Sequence, residues 1–103
     1  EYHIGVVHCK DSFYGQHTPE KMPVGSELKH KWEAYLAGGA LCSEMESAAL
    51  FTVGSYRKVR VGTILLAVAN QEREKRGLEN VFADDTELAI KTAVEAVREL
   101  IKG

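Results

Sequence analysis

The sequence predicts an α/β fold built on a largely parallel sheet. Three observations carry that expectation: β-branched apolar runs at residues 2–9 and 59–69, apolar stripes at helical spacing, and the alternation of the two along the chain. At 103 residues, 45% hydrophobic and 27% charged, the chain has the size of one domain and is too apolar for disorder. A core without disulfide staples is therefore expected. The 13 basic and 15 acidic residues leave a net charge of −2, which gives no bulk attraction to nucleic acid or an anionic membrane. The longest apolar run, residues 64–69, is far too short to span a bilayer.

The first expected element is a strand over residues 2–9 that exits into Lys10-Asp11-Ser12. Residues 13–25 read as a long loop punctuated by Gly15, Pro19, Pro23 and Gly25, a length usual for functional loops. Ser26 is the expected N-cap of a helix whose stripe is Leu28, Trp32, Tyr35 and Leu36, and Gly38-Gly39 should end it in left-handed positions. A short strand is expected over 40–42, followed by a helix to about Arg57. Met45, Ala48, Ala49, Val53 and Tyr56 share one face of that helix, with Leu50 and Phe51 beside them, so it should pack on two sides. Residues 59–69 read as a central strand buried on both faces, and 70–80 as a charged, solvated loop. The last helix should be capped by Asp84 with Glu87 at N3, and should bury Ile90, Val94, Val97 and Ile101.

Cys9 and Cys42 form no C-x-x-C, and no clustered His/Cys ligand set occurs, so no metal is expected. Buried reduced thiols are the simple reading, and a cytoplasmic location goes with it. The chain opens at Glu1 directly before strand-like residues, and three strands make a thin sheet with nothing over its flanks. Both features lead to the expectation of a longer parent.

Ligands of open α/β sheets bind beyond the carboxyl ends of strands. Residues 11–17, 43–46 and 70–73 fall there, each polar where the preceding run is apolar. Glu44 and Glu46 would point the same way if extended, and a carboxylate can accept both hydrogens of a vicinal diol such as a ribose. They would equally serve a helix N-terminus with no ligand at all. Phe13 and Tyr14 offer aromatic faces beside the amide of Gln16, which matches the donor and acceptor pattern of a uracil edge. Core anchoring is the plainer role for the aromatics. Asn70 and Gln71 could do similar polar work or simply cap a turn. No Walker loop, G-x-G-x-x-G turn or nucleophile triad is present.

Taken together, Lys10-Asp11-Ser12-Phe13-Tyr14-Gly15-Gln16, Ser43-Glu44-Met45-Glu46-Ser47-Ala48 and Val68-Ala69-Asn70-Gln71 resemble the carboxyl-terminal part of the nucleoside phosphorylases, and within them the uridine branch. The similarity runs in order through nearly all of the chain. It implies a single domain, of which residues 1–103 are the carboxyl-terminal portion, in a three-layer α/β/α sandwich with a mostly parallel mixed sheet. It implies homo-oligomers, hexamers of paired subunits, and reversible phosphorolysis of uridine to uracil and ribose 1-phosphate, with phosphate as co-substrate and no cofactor. Glu46 would hold the ribose hydroxyls as the catalytic carboxylate, Met45 would pack on the sugar, and Glu44 would shape the pocket. Phe13, Gln16, Asn70, Gln71 and Arg73 would form the base side.

Several positions depart from the family pattern. The F-Y-x-G-Q spacing is one residue shorter here, and Thr18 stands where an arginine is usual, leaving His17 or Lys21 to substitute. Gln71 replaces a second arginine, with Arg73 two residues on, and Asn70 cannot protonate a leaving purine as an aspartate would. The glycine-rich and arginine phosphate site of the family lies in the amino-terminal half of its subunit, and its motifs do not occur here. The chain alone is thus expected to be inactive and to need that half as its partner. Two other classes remain open: a non-catalytic module binding a nucleoside or a protein, and a purine nucleoside phosphorylase or nucleosidase.

Overall fold

A computed structural model describes residues 1–103 and is helix-rich, with one small parallel sheet. It divides into two compact units, residues 1–61 and 62–103. In the first, strand β1 (His8–Cys9) leads to helix α1 (Phe13–His17), a 3-10 turn at Pro19–Lys21 and helix α2 (Gly25–Ala37), then strand β2 (Ser43–Glu44) and helix α3 (Ser47–Arg57). The second holds helix α4 (Gln71–Lys75) and helix α5 (Glu87–Lys102). This is α/β in class, as the sequence predicts.

β1 and β2 pair in parallel, His8 opposite Ser43 and Cys9 opposite Glu44. The expected strands over 2–9 and 40–42 are thus displaced. Leu41 N–H donates to the Val6 carbonyl and His8 N–H to the Cys42 carbonyl, both at 2.9 Å, but the ladder itself holds two residues on each side. The segment expected to be a loop, 13–25, is instead built of two short helical pieces. Ser12 caps α1 by accepting from Gly15 N–H at 3.0 Å, a signal too brief for any apolar period to reinforce.

α2 forms where its stripe predicts. Its expected cap moves, because the helix begins at Gly25 with Val24, not Ser26, in the cap position. At its end only Gly39 is left-handed, at φ 78°, while Gly38 stays helical. Part of the stripe meets β1: His8 stacks on Tyr35 at 4.1 Å between ring centroids and meets Trp32 edge-on at 6.4 Å.

α3 is capped by side chain rather than by position. Glu44 Oε2 accepts from Glu46 N–H at 2.8 Å and Ser47 N–H at 2.7 Å, filling two of the orphan donors of the first turn. Desolvation works to raise the Glu44 carboxyl, but the Ser47 N–H, the Cys9 thiol, the Glu46 N–H and the Ser47 hydroxyl outweigh it and hold it at about 2.

Residues 59–69 are not a strand. A strand buried on both faces needs a neighbour on each edge, and the single ladder of the chain lies elsewhere. Val59 N–H closes the end of α3 on the Gly54 carbonyl, and Val68 accepts from Ala83 N–H at 2.8 Å. The expected charged loop contains α4, capped by Asn70. α5 starts at Glu87 with Thr86 in the cap position, so Asp84 is not the cap and Glu87 is the first helical residue rather than N3; the Glu87 N–H donates to Asp85 Oδ1 at 2.9 Å.

No apolar residue is buried, which corrects the expected core. The stripe of α5 is formed but open: Ile90 is 60% exposed, Val94 44%, Val97 54% and Ile101 76%. α3 likewise buries only Ser47 and Gly54, against the two-sided packing its apolar arc predicts. Amphipathic helices have formed without a layer to cover them within this chain.

Two outcomes follow from the local geometry. At Gly25 an added Cβ would lie 2.3 Å from the Pro19 carbonyl oxygen, a backbone atom that cannot swing away. Gly25→Ala should therefore cost about 1–3 kcal/mol, read as a lower thermal midpoint, despite its better helix propensity. Because the folded Glu44 carboxyl titrates below its ordinary value of 4.5, its charge stabilises the fold above pH 4.5. That contribution drains away as pH falls from 4.5 towards about 2. Glu44→Gln should flatten the acid limb of a urea-denaturation series; acid limbs of equal slope in the two proteins would contradict the cap.

Candidate functional site

The parallel pairing brings two of the three predicted loops together. Residues 11–17 leave the carboxyl end of β1, and 43–46 leave that of β2. The link between them is direct: Ser43 Oγ donates to Gln16 Oε1 at 2.6 Å. Lys10 Nζ donates to the same Ser43 Oγ at 3.1 Å, and His8 Nδ1 lies 3.4 Å from it. Lys10 N–H also donates to the Glu44 carbonyl at 2.9 Å, continuing the ladder into the site.

Beyond Ser43 the chain turns. Glu46 leaves the extended region, at φ −115° and ψ −31°, so the two carboxylates do not project in parallel from one strand. Glu44 is half-buried and turned into the cap of α3, with Oε1 buried and without a hydrogen-bond partner. Glu46 is exposed, and its Oε2 accepts from Met45 N–H at 3.2 Å. Met45 is exposed beside it. Of the two readings of this acidic pair, Glu44 follows the capping one, while Glu46 and Met45 face outward.

Phe13 is half-exposed, with His17 stacked on one face at 4.1 Å and Tyr14 meeting it edge-on at 5.5 Å. It is not the core anchor that a post-strand aromatic usually becomes. His8 is held below its usual range by burial and then by the charge of Lys10, against the opposing pull of Asp11 and Glu44. Its neutral ring suits its stack on Tyr35. Cys9 and Cys42 are free, half-buried thiols; Cys9 Sγ accepts from Ala48 N–H at 3.4 Å, and burial and Glu44 push Cys42 up.

The third loop belongs to the second unit. Asn70 Oδ1 caps α4 by accepting from Arg73 N–H at 3.0 Å, and Asn80 Oδ1 accepts from Asn70 N–H at 2.7 Å. Arg73 Nε donates to the Glu79 carbonyl at 2.7 Å. Gln71 is half-buried at the first position of α4. Here the capping alternative describes Asn70 well.

Sequence reasoning placed Ser43 in a candidate segment but gave no role to Ser43, Lys10 or His8. The available signal was register. Polar Lys10 follows β1, and Ser43 sits across the ladder from His8, but that pairing is a tertiary fact. No three His, Cys, Asp or Glu side chains are grouped to hold a metal ion, and no helix is long and apolar enough to cross a membrane.

Comparison with known proteins bears on this arrangement. A uridine phosphorylase of Treponema pallidum is 58% identical over 98 residues, covering 95% of this chain and 38% of that protein. Uridine phosphorylases of Klebsiella aerogenes and Escherichia coli are 31% and 28% identical over 102 residues, covering 96% of the chain and 40% of each. The chain thus spans about two-fifths of the length of the curated relatives it matches. The family model described as the phosphorylase superfamily matches residues 1–102, and that match takes in the Gln16 segment, the Ser43–Glu44 strand with its acidic turn, and Asn70 alike. On that coverage, this chain belongs to the phosphorylase superfamily.

Proposed function

We propose that the chain is the carboxyl-terminal portion of a nucleoside phosphorylase domain that cleaves uridine with phosphate to uracil and ribose 1-phosphate. The observation that carries the reading is the junction of Gln16 with the Ser43-Glu44-Met45-Glu46 turn: a base-reading amide bonded to the strand that leads to an exposed carboxylate. The names of the relatives supply the substrate.

In this reading Glu46 is the catalytic carboxylate and accepts the ribose hydroxyls, two donors well suited to its oxygens. Met45 lies against the sugar. Glu44 contributes from behind, since its hold on the Glu46 and Ser47 N–H groups fixes the turn. Phe13 gives the base the ring face opposite His17, and Gln16 matches the uracil imide. In the second unit the resemblance assigns Asn70, Gln71 and Arg73 to the base side.

The reaction these residues serve is positional and electrostatic. A phosphate oxygen forms the bond to the anomeric carbon while the bond to the base nitrogen breaks. Its electron pair leaves with uracil, whose developing charge is met by hydrogen bonds. Carboxylate and phosphate beside an oxocarbenium-like sugar lower the barrier with no covalent intermediate and no cofactor beyond co-substrate phosphate.

The remainder of the subunit would bring the phosphate site and further strands, completing a three-layer α/β/α sandwich with a mostly parallel mixed sheet. It would also cover the open stripes of α3 and α5. Assembly into a hexamer of paired subunits and residence in the cytoplasm belong to the same proposal.

The full-length protein should release uracil from uridine only when phosphate is present, followed by the absorbance change at the base. Equal release without phosphate would indicate a nucleosidase, and inosine cleaved faster than uridine a purine enzyme. Glu46→Gln should lower kcat/KM roughly 10- to 100-fold, the scale of a lost hydrogen bond to a charged group. Unchanged turnover would remove Glu46 from the sugar.

A further inference from the structure

Lys10 stands apart among the cationic side chains. It is half-buried, while every other lysine and arginine of the chain is exposed. Several of those exposed cations, Lys31, Lys75, Arg98 and Lys102, are each paired with a glutamate one turn away on the same helix. Lys10 has no carboxylate partner. Its Nζ donates across the ladder to Ser43 Oγ at 3.1 Å, a contact between residues 33 apart in sequence. Asp11 and Glu44 act on His8 through their charge, as Lys10 does, but neither closes an ion pair with Lys10.

An ammonium only donates and carries three hydrogens, so the bond to Ser43 leaves two for a further acceptor. Lysine is seldom taken out of water unless it is paired. A stem lying on the surface with its head in solvent does not describe this one, because the head is bonded to a half-buried serine. A cation kept in that state is set to meet negative charge brought from outside the chain.

The place of the ammonium identifies that charge. Ser43 Oγ also lies 2.6 Å from Gln16 Oε1, so Nζ is no further from that amide than two hydrogen bonds end to end. The cation therefore stands on the side of the proposed pocket that faces the base. As the bond from the anomeric carbon breaks, its electron pair passes to the ring nitrogen of uracil and spreads to the ring carbonyl oxygens. We propose that Lys10 is a catalytic residue of this reaction, donating from Nζ to a carbonyl oxygen of uracil and stabilising the charge of the leaving base. The proposal rests on the reading of the chain as part of a phosphorylase that cleaves uridine. Nζ keeps its hydrogens throughout; the contact is weak to the neutral base and strong to the departing anion, and only that difference speeds the step.

The experiment compares uridine with 5-fluorouridine as substrates of the full-length protein, read as single-turnover rates at saturating phosphate. Fluorine withdraws electrons from the ring, so the departing base holds its charge more easily and needs less help. Lys10→Met should slow uridine cleavage about 10- to 100-fold, the scale of a hydrogen bond to a charged group. The loss with 5-fluorouridine should be smaller by about threefold or more, following Brønsted behaviour. Lys10→Arg, which keeps the charge, should retain more of the uridine rate than Lys10→Met, and the KM for phosphate should be the same in all three proteins. Equal losses with the two nucleosides would overturn the proposal and leave Lys10 as a support for Ser43. Equal losses with a raised KM for phosphate would also overturn it and give the cation to the co-substrate. An unchanged uridine rate in Lys10→Met would remove Lys10 from the reaction while leaving the phosphorylase reading in place. If the unsubstituted protein releases no uracil from uridine with phosphate, that reading fails and the proposal with it. Should Lys10→Met fail to fold, Lys10→Gln carries the same comparison. A loss that depends on the leaving base supports the role, and a uniform loss defeats it.

Discussion

The two-residue parallel ladder between His8–Cys9 and Ser43–Glu44 is the constraint on which the first unit depends. It joins segments more than 30 residues apart, and the polar groups that the first unit brings to the candidate site lie in it or follow one of its strands. From β1 come Lys10 and, through the Ser12 cap, Gln16. From β2 come Ser43 and the carboxylate that starts α3. A slip of one residue would send Ser43 to the opposite face of the pair, away from Lys10, His8 and Gln16. So short a ladder needs reinforcement. The bonds from Leu41 to Val6, His8 to Cys42 and Lys10 to Glu44, all at 2.9 Å, extend the same register on either side.

Polar groups here do work that apolar packing does in larger cores. Glu44 is the clearest case. Its Oε2 binds two backbone donors, while Oε1 is buried without a partner. The carboxylate therefore carries an uncompensated acceptor as the cost of a fixed turn, an arrangement more often met at sites than in scaffolds. The turn it holds puts Met45 and Glu46 outward. Capping, one of the two roles open when the sequence is read alone, falls to Glu44, and Glu46 stands exposed two residues on.

How much was legible depended on how local each signal is. α2 announces itself through Leu28, Trp32 and Tyr35, and α5 through a stripe that repeats over four turns, so both stand where expected. Their buried environment does not follow from the stripes, because burial needs a second surface. Residues 59–69 show the same limit for strands. Val59, Val61 and Ile64 state a preference, but pairing is a relation between segments. α1 failed for the opposite reason: five residues are too few for a period, and its one signal, the Ser12 cap, looks like any loop serine. The acidic turn and Gln16 were readable as chemistry, whereas the Ser43 bond that joins them is visible only across the ladder.

The apolar run at 64–69 has a consequence for handling the protein. Ile64-Leu65-Leu66-Ala67-Val68-Ala69 has no charge, no proline and no glycine, and no residue of it lies in a helix or ladder. Such a segment is a template for intermolecular strand addition. A chain carrying it uncovered is exposed to cross-β association during synthesis or refolding, and a strand laid along it would remove that exposure. Solubility, in this molecule, becomes a property of strand company.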